Sequence, residues 1–201
     1  MKIDAERILR SPLLLPILLA LGAWLAVARG QDALWDLKNY HLYNAWALLH
    51  GRLSIDLAPA GLQGYFNPLP DVPYLWLGMG PLQDHPRLLA AWQGMWYGAL
   101  VYVLCRIGMR FARMTGRRPG WSTIAAVFIG ATGTMTLTQA GQATNEVPLA
   151  LLVLMGFLVA MPLVDGHATE GRSFLPRALL AGLFCGLAAG LKPPAIVSAP
   201  A

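Results

Sequence analysis

Residues 10–29 read RSPLLLPILLALGAWLAVAR, and no charged residue lies between the two terminal arginines. A membrane-spanning helix needs about 20 mainly apolar residues, with a range of about 17–25. Only 12% of the chain is charged and 56% is hydrophobic, whereas soluble domains carry roughly 25% charged residues. These features predict an all-α, polytopic transmembrane helix bundle. The other charge-free runs are 88–105, 119–145, 147–164 and 178–191.

The runs predict four or five spans within a single transmembrane domain that covers residues 1–201. The run 119–145 is too long for one span, and its second half is polar, so we end that span near residue 138. The last run is short, and it forms a span only if Lys192 snorkels or faces the protein interior. The predicted spans are about 12–29, 87–107, 121–138, 147–164 and 177–193.

The first run also has features of a cleaved signal peptide. Basic residues precede it, and Ala26, Val27 and Ala28 fit a small-residue cleavage site. We favour an uncleaved anchor, because the run is long for a signal core and several more spans follow it.

The distribution of positive charge predicts the orientation. Five arginines without an acidic residue among them follow the second run, which is typical of a cytoplasmic loop. The N-terminus is then cytoplasmic, the loop 30–86 is external, and the protein lies in the inner membrane. The net charge of +5 is explained by this loop, so we expect no nucleic-acid partner. The arginines are Arg106, Arg110, Arg113, Arg117 and Arg118.

The external loop begins with a segment that favours an amphipathic helix at the membrane interface. In WDLKNYHLYNAWALLHG (35–51), apolar residues recur at helical spacing, and Asp36, Tyr40 and Tyr43 share another face. Trp and Tyr are typical of the headgroup region, and Gly51 is a suitable helix end. The stretch QGYFNPLPDVPY (63–74) predicts an irregular loop, followed by a second interfacial piece around residues 75–80.

Three ionisable residues are predicted to lie in the outer leaflet: Asp36 after the first span, Glu146 before the fourth and Lys192 after the fifth. Such groups at a bundle edge are costly and tend to be functional. Two carboxylates and a lysine suit proton transfer beside an anionic lipid headgroup. Other interpretations remain open. Asp36 can be a solvated loop acid or a local partner of Lys38. Glu146 can stabilise a helix N-terminus, and Lys192 can be a snorkelling cation.

No cofactor is certain from the sequence. The four histidines lack metal-ligand spacing. Because the converging ligands are carboxylates, a hard divalent cation such as Mg²⁺ or Mn²⁺ is compatible with them, whereas Zn²⁺ is not.

Several of these stretches together resemble a known family. They are WDLKNYHLYNAWALLHGRLSID (35–56), LAPAGLQGYFNPLPDVPY (57–74), GQATNEVPLALL (141–152) and GLAAGLKPP (186–194). The chain resembles bacterial polytopic glycosyltransferases of the GT-C superfamily, which use polyprenyl-phosphate sugars. The similarity extends over almost the whole chain, and the first loop is its most distinctive part.

The resemblance implies a transferase that moves a sugar from a polyprenyl-phosphate donor to a glycan, lipid or protein acceptor on the external face. Asp36 is then the general base, with Asp32 as the alternative, and Glu146 binds the acceptor or a metal. Lys192, and also Arg52 or Arg87, would steady the lipid-phosphate leaving group. We add the polar loop residues Tyr40, His41, Asn44 and Asn67 as substrate-binding candidates.

Members of this family usually have more spans, so we expect the chain to be an N-terminal fragment truncated at its C-terminus. Two alternatives without catalysis are a transporter or flippase-like protein and a structural membrane subunit. The spans contain few polar residues, which disfavours transport.

Overall fold

The computed structural model describes residues 4–56, 60–164 and 174–198. Within these residues the chain is all-α and forms nine α-helices. In chain order they are α1 (Ala5–Arg10), α2 (Leu14–Arg29), α3 (Leu42–Leu49), α4 (Val72–Gly78), α5 (Pro86–Met114), α6 (Trp121–Ala131), α7 (Thr134–Thr138), α8 (Glu146–Val164) and α9 (Phe174–Leu191). A π-helical turn at Leu37–His41 leads directly into α3, and 3-10 turns lie at Gly61–Tyr65, Leu69–Asp71 and Pro193–Ser198.

Three helices, α5, α8 and α9, are long and apolar enough to cross a membrane. They indicate a multi-pass membrane protein and match the predicted spans 87–107, 147–164 and 177–193. Helix α2, within the predicted span 12–29, has 16 residues, which gives a length of about 24 Å.

The segment of the predicted span 121–138 is divided into two helices, α6 and α7, and its crossing of the membrane stays a prediction. The Thr132 hydroxyl donates to the Phe128 carbonyl over 2.7 Å. Gly133 then leaves the helical conformation, with ψ at 140°. The segment around 75–80, predicted to be a second interfacial piece, overlaps α4, which begins earlier, at Val72.

Helices α2 and α5 run antiparallel and touch through their backbones. A Cβ atom on Gly98 would lie 2.7 Å from the carbonyl carbon of Leu18, and one on Gly22 would lie 2.8 Å from the Gly98 nitrogen. Gly94 likewise faces Gly22 and Ala26. Small residues permit this approach, as at many helix contacts in membranes.

Helices α8 and α9 form a second antiparallel pair. A Cβ atom on Gly156 would lie 2.9 Å from the Cys185 sulfur, so this pair also depends on a small residue. The α8 residues Val147 and Leu151 pack with Tyr97 and Leu100 of α5 in the main apolar core. Helix α5 therefore joins the two helix pairs.

This antiparallel arrangement gives the bundle two different ends. One end consists of the C-terminal ends of α2 and α9 and the N-terminal ends of α5 and α8. We call this the polar end. The opposite end carries α1 and the arginine-rich end of α5, where Glu6 lies 3.7 Å from Arg113. The predicted functional residues and the predicted cytoplasmic arginines thus lie at opposite ends.

Large apolar side chains cover the outer surface of the helices. Trp24, Phe128, Ile129 and Phe157 are each more than half exposed. Exposure of these side chains to water would be unfavourable in free energy. Exposure to lipid would not, because the bilayer core is also apolar.

The close contact between α2 and α5 predicts that Gly98→Ala destabilises the protein. The added methyl group would collide with the backbone of α2 at Leu18, and such overpacking costs about 1–3 kcal/mol. The matched control is Gly186→Ala on α9, where an added Cβ has no neighbour within 4 Å. Thermal unfolding in detergent micelles should show a lower Tm for Gly98→Ala alone. Equal Tm values for the two variants would contradict the contact.

Candidate functional site

The helical segment that begins at Asp36 turns polar side chains into the protein. Its first part is the π-helical turn Leu37–His41, a feature that often occurs at functional sites. Tyr40, His41 and Asn44 are at most 5% exposed. The segment was predicted to be amphipathic, and its buried side includes these polar groups, while Leu49 is 56% exposed.

His41 forms a buried hydrogen-bonded pair with Asp71. The two atoms, Nδ1 of His41 and Oδ1 of Asp71, are 2.8 Å apart, and both side chains are less than 10% exposed. The amide of Asn145 also donates to Oδ1 of Asp71. Residues from three distant parts of the chain therefore meet at one carboxylate.

Burial raises the pKa of Asp71 above its ordinary value, because a buried carboxylate loses hydration. The hydrogen bond and charge of His41, the amide of Asn145 and the charge of Lys192 oppose this increase. The carboxylate thus remains costly to bury although it has specific partners.

Glu146 and Lys192 lie together beside this pair. Nζ of Lys192 donates to Oε1 of Glu146, which joins the first residue of α8 to the end of α9. The same ammonium group lies 5.9 Å from the centre of the Phe66 ring. Asn67 donates to the carbonyl of Gly190 over 2.9 Å, so the loop that contains Asn67 is attached to the end of α9.

Asp36 lies close to the phenol of Tyr40. Burial of Tyr40, followed by the negative charges of Asp36 and Glu146, raises the pKa of its phenol well above the ordinary value. The phenol therefore stays protonated in neutral solution and can donate to Asp36. The Tyr40 and His41 rings are 4.3 Å apart between centroids, which links Asp36 spatially to the His41–Asp71 pair.

Asp32 supports the polar end structurally. Its carboxylate accepts from the backbone nitrogens of Leu34, at 2.9 Å, and Ala143, at 2.8 Å. Arg29 donates to the carbonyl oxygens of Leu137, Thr138 and Ala140. These bonds hold the segment that leads to Asn145 and Glu146.

Of the remaining predicted residues, Asn44 and Arg52 have partners away from the cleft. The amide of Asn44 donates to the carbonyl of Gln63 over 3.1 Å, which fixes the irregular loop. Arg52 pairs with Asp56, and this carboxylate also accepts from Tyr43. Arg87 is exposed in the first turn of α5.

A cleft, lined in part by His41, Phe66, Asn67, Asp71, Asn145 and Lys192, lies at the centre of this arrangement. Its volume is about 30 Å³, room for one or two water molecules. The remaining lining includes Pro70, Pro148, Leu149 and Leu191.

Sequence reasoning missed Asp71 and Asn145 as site residues. Asp71 lies in the proline-rich stretch NPLPDVPY, and Asn145 precedes Glu146 with a φ of 65°, a left-handed conformation that asparagine tolerates better than most residues. The described residues contain no group of three His, Cys, Asp or Glu side chains placed to hold a metal. The divalent cation stays a prediction.

No family model, curated protein or solved structure matches the chain.

The shared carboxylate predicts that Asp71→Ala is strongly destabilising. The change would leave Nδ1 of His41 and the Asn145 amide without an acceptor, at a cost of about 2–4 kcal/mol. Asp84→Ala is the matched control, because Asp84 is an exposed acid in the same loop, and it should change stability by less than about 0.5 kcal/mol. Thermal unfolding compares the two. Similar losses of stability would rule out this role for Asp71.

Proposed function

We propose that the protein crosses the bacterial inner membrane five times, with its polar end external and its arginine-rich end cytoplasmic. The spans are α2, α5, the α6–α7 segment, α8 and α9. The positive-inside rule supports this orientation, since Arg106, Arg110 and Arg113 lie on the part of α5 far from Lys192 and Glu146. The segment from Asp36 to Leu49 then lies at the external membrane interface.

Cysteine labelling tests the orientation. In intact cells, a membrane-impermeant maleimide should label Asp84→Cys and should not label Arg117→Cys until the membrane is opened. Both positions are exposed, and the native Cys105 and Cys185 are buried. The reverse labelling pattern would overturn the orientation.

We further propose that the polar end transfers a sugar from a polyprenyl-phosphate donor to an acceptor hydroxyl. The observation that carries the proposal is the meeting of Asp36, Glu146 and Lys192 around the His41–Asp71 pair at one end of apolar helices. Lipid-linked donors present their sugar at this level of a membrane. The resemblance of the sequence to GT-C glycosyltransferases supports the same reaction class.

In this proposal Asp36 is the general base. Its carboxylate removes the proton of the acceptor hydroxyl, whose oxygen bonds to the anomeric carbon as the bond from that carbon to the phosphate oxygen breaks. The electron pair leaves with the phosphate, so a cation nearby stabilises the transition state. Lys192 supplies that charge, and Glu146 holds its ammonium group in place. The Tyr40 phenol orients Asp36.

The distribution of polar groups favours this reaction over transport. Six polar side chains are buried in the described residues, and four of them, His41, Asn44, Asp71 and Thr144, lie at the polar end. A transport path would instead need polar groups along the spans. Gln93 and Thr123 are the other two, and Gln93 is bonded to the carbonyl of Gln142.

The test places the full chain in liposomes and measures turnover of the donor. The liposomes also contain membrane extract of the source organism, which supplies the acceptor. Undecaprenyl-phosphate-linked hexoses and pentoses are the donors, and released undecaprenyl phosphate is measured. Asp36→Asn should slow turnover by about 10²–10⁴, the usual contribution of a general base. Asp84→Asn, the exposed control, should match the parent. Equal rates for Asp36→Asn and the parent would show that Asp36 is not the base.

A further inference from the structure

A groove of about 370 Å³ runs along the surface of the bundle between α2 and α6. Its floor is the contact of α2 with α5 and includes Gly22, Gly98 and Cys105. Leu21, Trp24 and Phe128 also line the groove and are each more than half exposed, so they form its rims. The groove therefore opens sideways, toward the surroundings of the helices.

The lining of this groove suits hydrocarbon. Its two hydroxyl groups, on Tyr97 and Thr132, already donate to the helix carbonyls of Ala131 and Phe128. The other described lining residues carry no charge. In a bilayer such a space is filled by hydrocarbon, because an empty groove would deprive its walls of dispersion contacts.

The length of the groove matches an acyl chain of one leaflet. Along α2 the lining extends from Leu14 to Leu25, which corresponds to about 16 Å of helix. The hydrocarbon core of a bilayer is about 30 Å thick, so each leaflet contributes about 15 Å. A polyprenyl chain is much longer than the groove, whereas a phospholipid chain fits it.

Positive charge surrounds the end of the groove that lies at α1. Ile8 and Leu9 of α1 line this end. Arg7 is exposed on the same helix, and Arg117 and Arg118 are exposed in the segment that leads into α6. The arginines therefore flank the groove from both of its walls, as a phosphate group would require.

The acidic residues of α1 are engaged by other groups. Glu6 pairs with Arg10 and lies 3.7 Å from Arg113. Asp4 caps α1, because its carboxylate accepts from the backbone nitrogen of Glu6 over 3.0 Å. The charge beside Ile8 and Leu9 thus favours an anionic headgroup.

The other end of the groove is separated from the polar end. The groove extends as far as Thr132, and beyond this residue Arg29 of α2 donates to the carbonyl of Leu137 in α7. This bond joins α2 to the α7 segment. A lipid in the groove is therefore held from the arginine-rich side.

We propose that the groove binds one acyl chain of an anionic phospholipid, whose phosphate lies between Arg7 and the pair Arg117 and Arg118. In the proposed orientation this lipid belongs to the cytoplasmic leaflet. It completes the packing between α2 and α6, which the protein alone leaves open. The proposal requires α2, α5 and α6 to lie in the bilayer, and it is independent of sugar transfer.

Photo-crosslinking of the parent chain tests the proposal. The full chain is placed in phosphatidylcholine nanodiscs with a small share of a probe that carries a diazirine midway along one acyl chain. The probe is either phosphatidylglycerol or phosphatidylcholine, and the labelled peptides are identified by mass spectrometry. Labelling of Leu21, Trp24 and Phe128 is divided by labelling of Leu183, because Leu21 and Leu183 are 54% and 56% exposed. This ratio should be at least about fivefold higher for phosphatidylglycerol, the contribution of one arginine near an anionic lipid.

A pair of arginine variants tests the position of the headgroup. Arg7→Gln should lower the ratio for phosphatidylglycerol about fivefold. The matched control is Arg177→Gln, since Arg177 lies in the first turn of α9 and outside the groove lining, and it should leave the ratio unchanged. Equal ratios for Arg7→Gln and the parent would contradict the proposed headgroup site.

Two further results would overturn the proposal. The same ratio for both probes would show that the groove is ordinary lipid-facing surface. Displacement of the phosphatidylglycerol probe by undecaprenyl phosphate, but not by unlabelled phosphatidylglycerol, would assign the groove to a polyprenyl lipid instead. Neither result depends on the folding of a variant, because both use the parent chain.

Discussion

The backbones of α2 and α5 meet at Gly22, Gly94 and Gly98, and the geometry of the polar end depends on this contact. This contact fixes the position of the C-terminal end of α2. From that position Arg29 and Asp32 form hydrogen bonds to the segment before α8. That segment also rests on α2 directly, because Gly141, with a φ of 86°, leaves no space for a Cβ against Ala26. The packing between α2 and α5 thus positions Asn145 and Glu146 at the N-terminal end of α8.

The polar end contains polar and charged side chains whose burial costs free energy. The packing of the helices alone does not require them. A buried carboxylate, an imidazole and a second acid lie within a cluster that connects the segment after Asp36, α4, α8 and α9. One oxygen of this second acid, Glu146, has no hydrogen-bond partner among the described residues. Apolar residues of similar volume would stabilise the fold as well, because buried ion pairs rarely gain free energy over such replacements. Their presence fits a role in binding and chemistry such as the proposed sugar transfer.

Part of this arrangement could be predicted from the sequence. Charge-free runs bounded by charged residues identified the long helices. Parity along the chain put Glu146 and Lys192 at the same end, where the structure joins them. Asp71 could not be found in this way, because its partner His41 is 30 residues away and Asn145 is 74 away. The π-helical turn was equally hidden, since the spacing of residues 36–49 predicts an ordinary helix. Arg52, which was predicted as a candidate for the lipid phosphate, pairs locally with Asp56, and its role toward substrate stays a prediction.

The central claim is that a lipid-linked sugar binds at the polar end, and photo-crosslinking tests it directly. An undecaprenyl-phosphate sugar with a diazirine on the sugar ring would be irradiated with the full chain in nanodiscs, and the labelled peptides would be identified by mass spectrometry. The account predicts labels on the cleft residues, chiefly Phe66, Asn67 and Leu149, and competition by the unlabelled donor. Labels confined to the arginine-rich end, or labelling that unlabelled donor does not reduce, would contradict it.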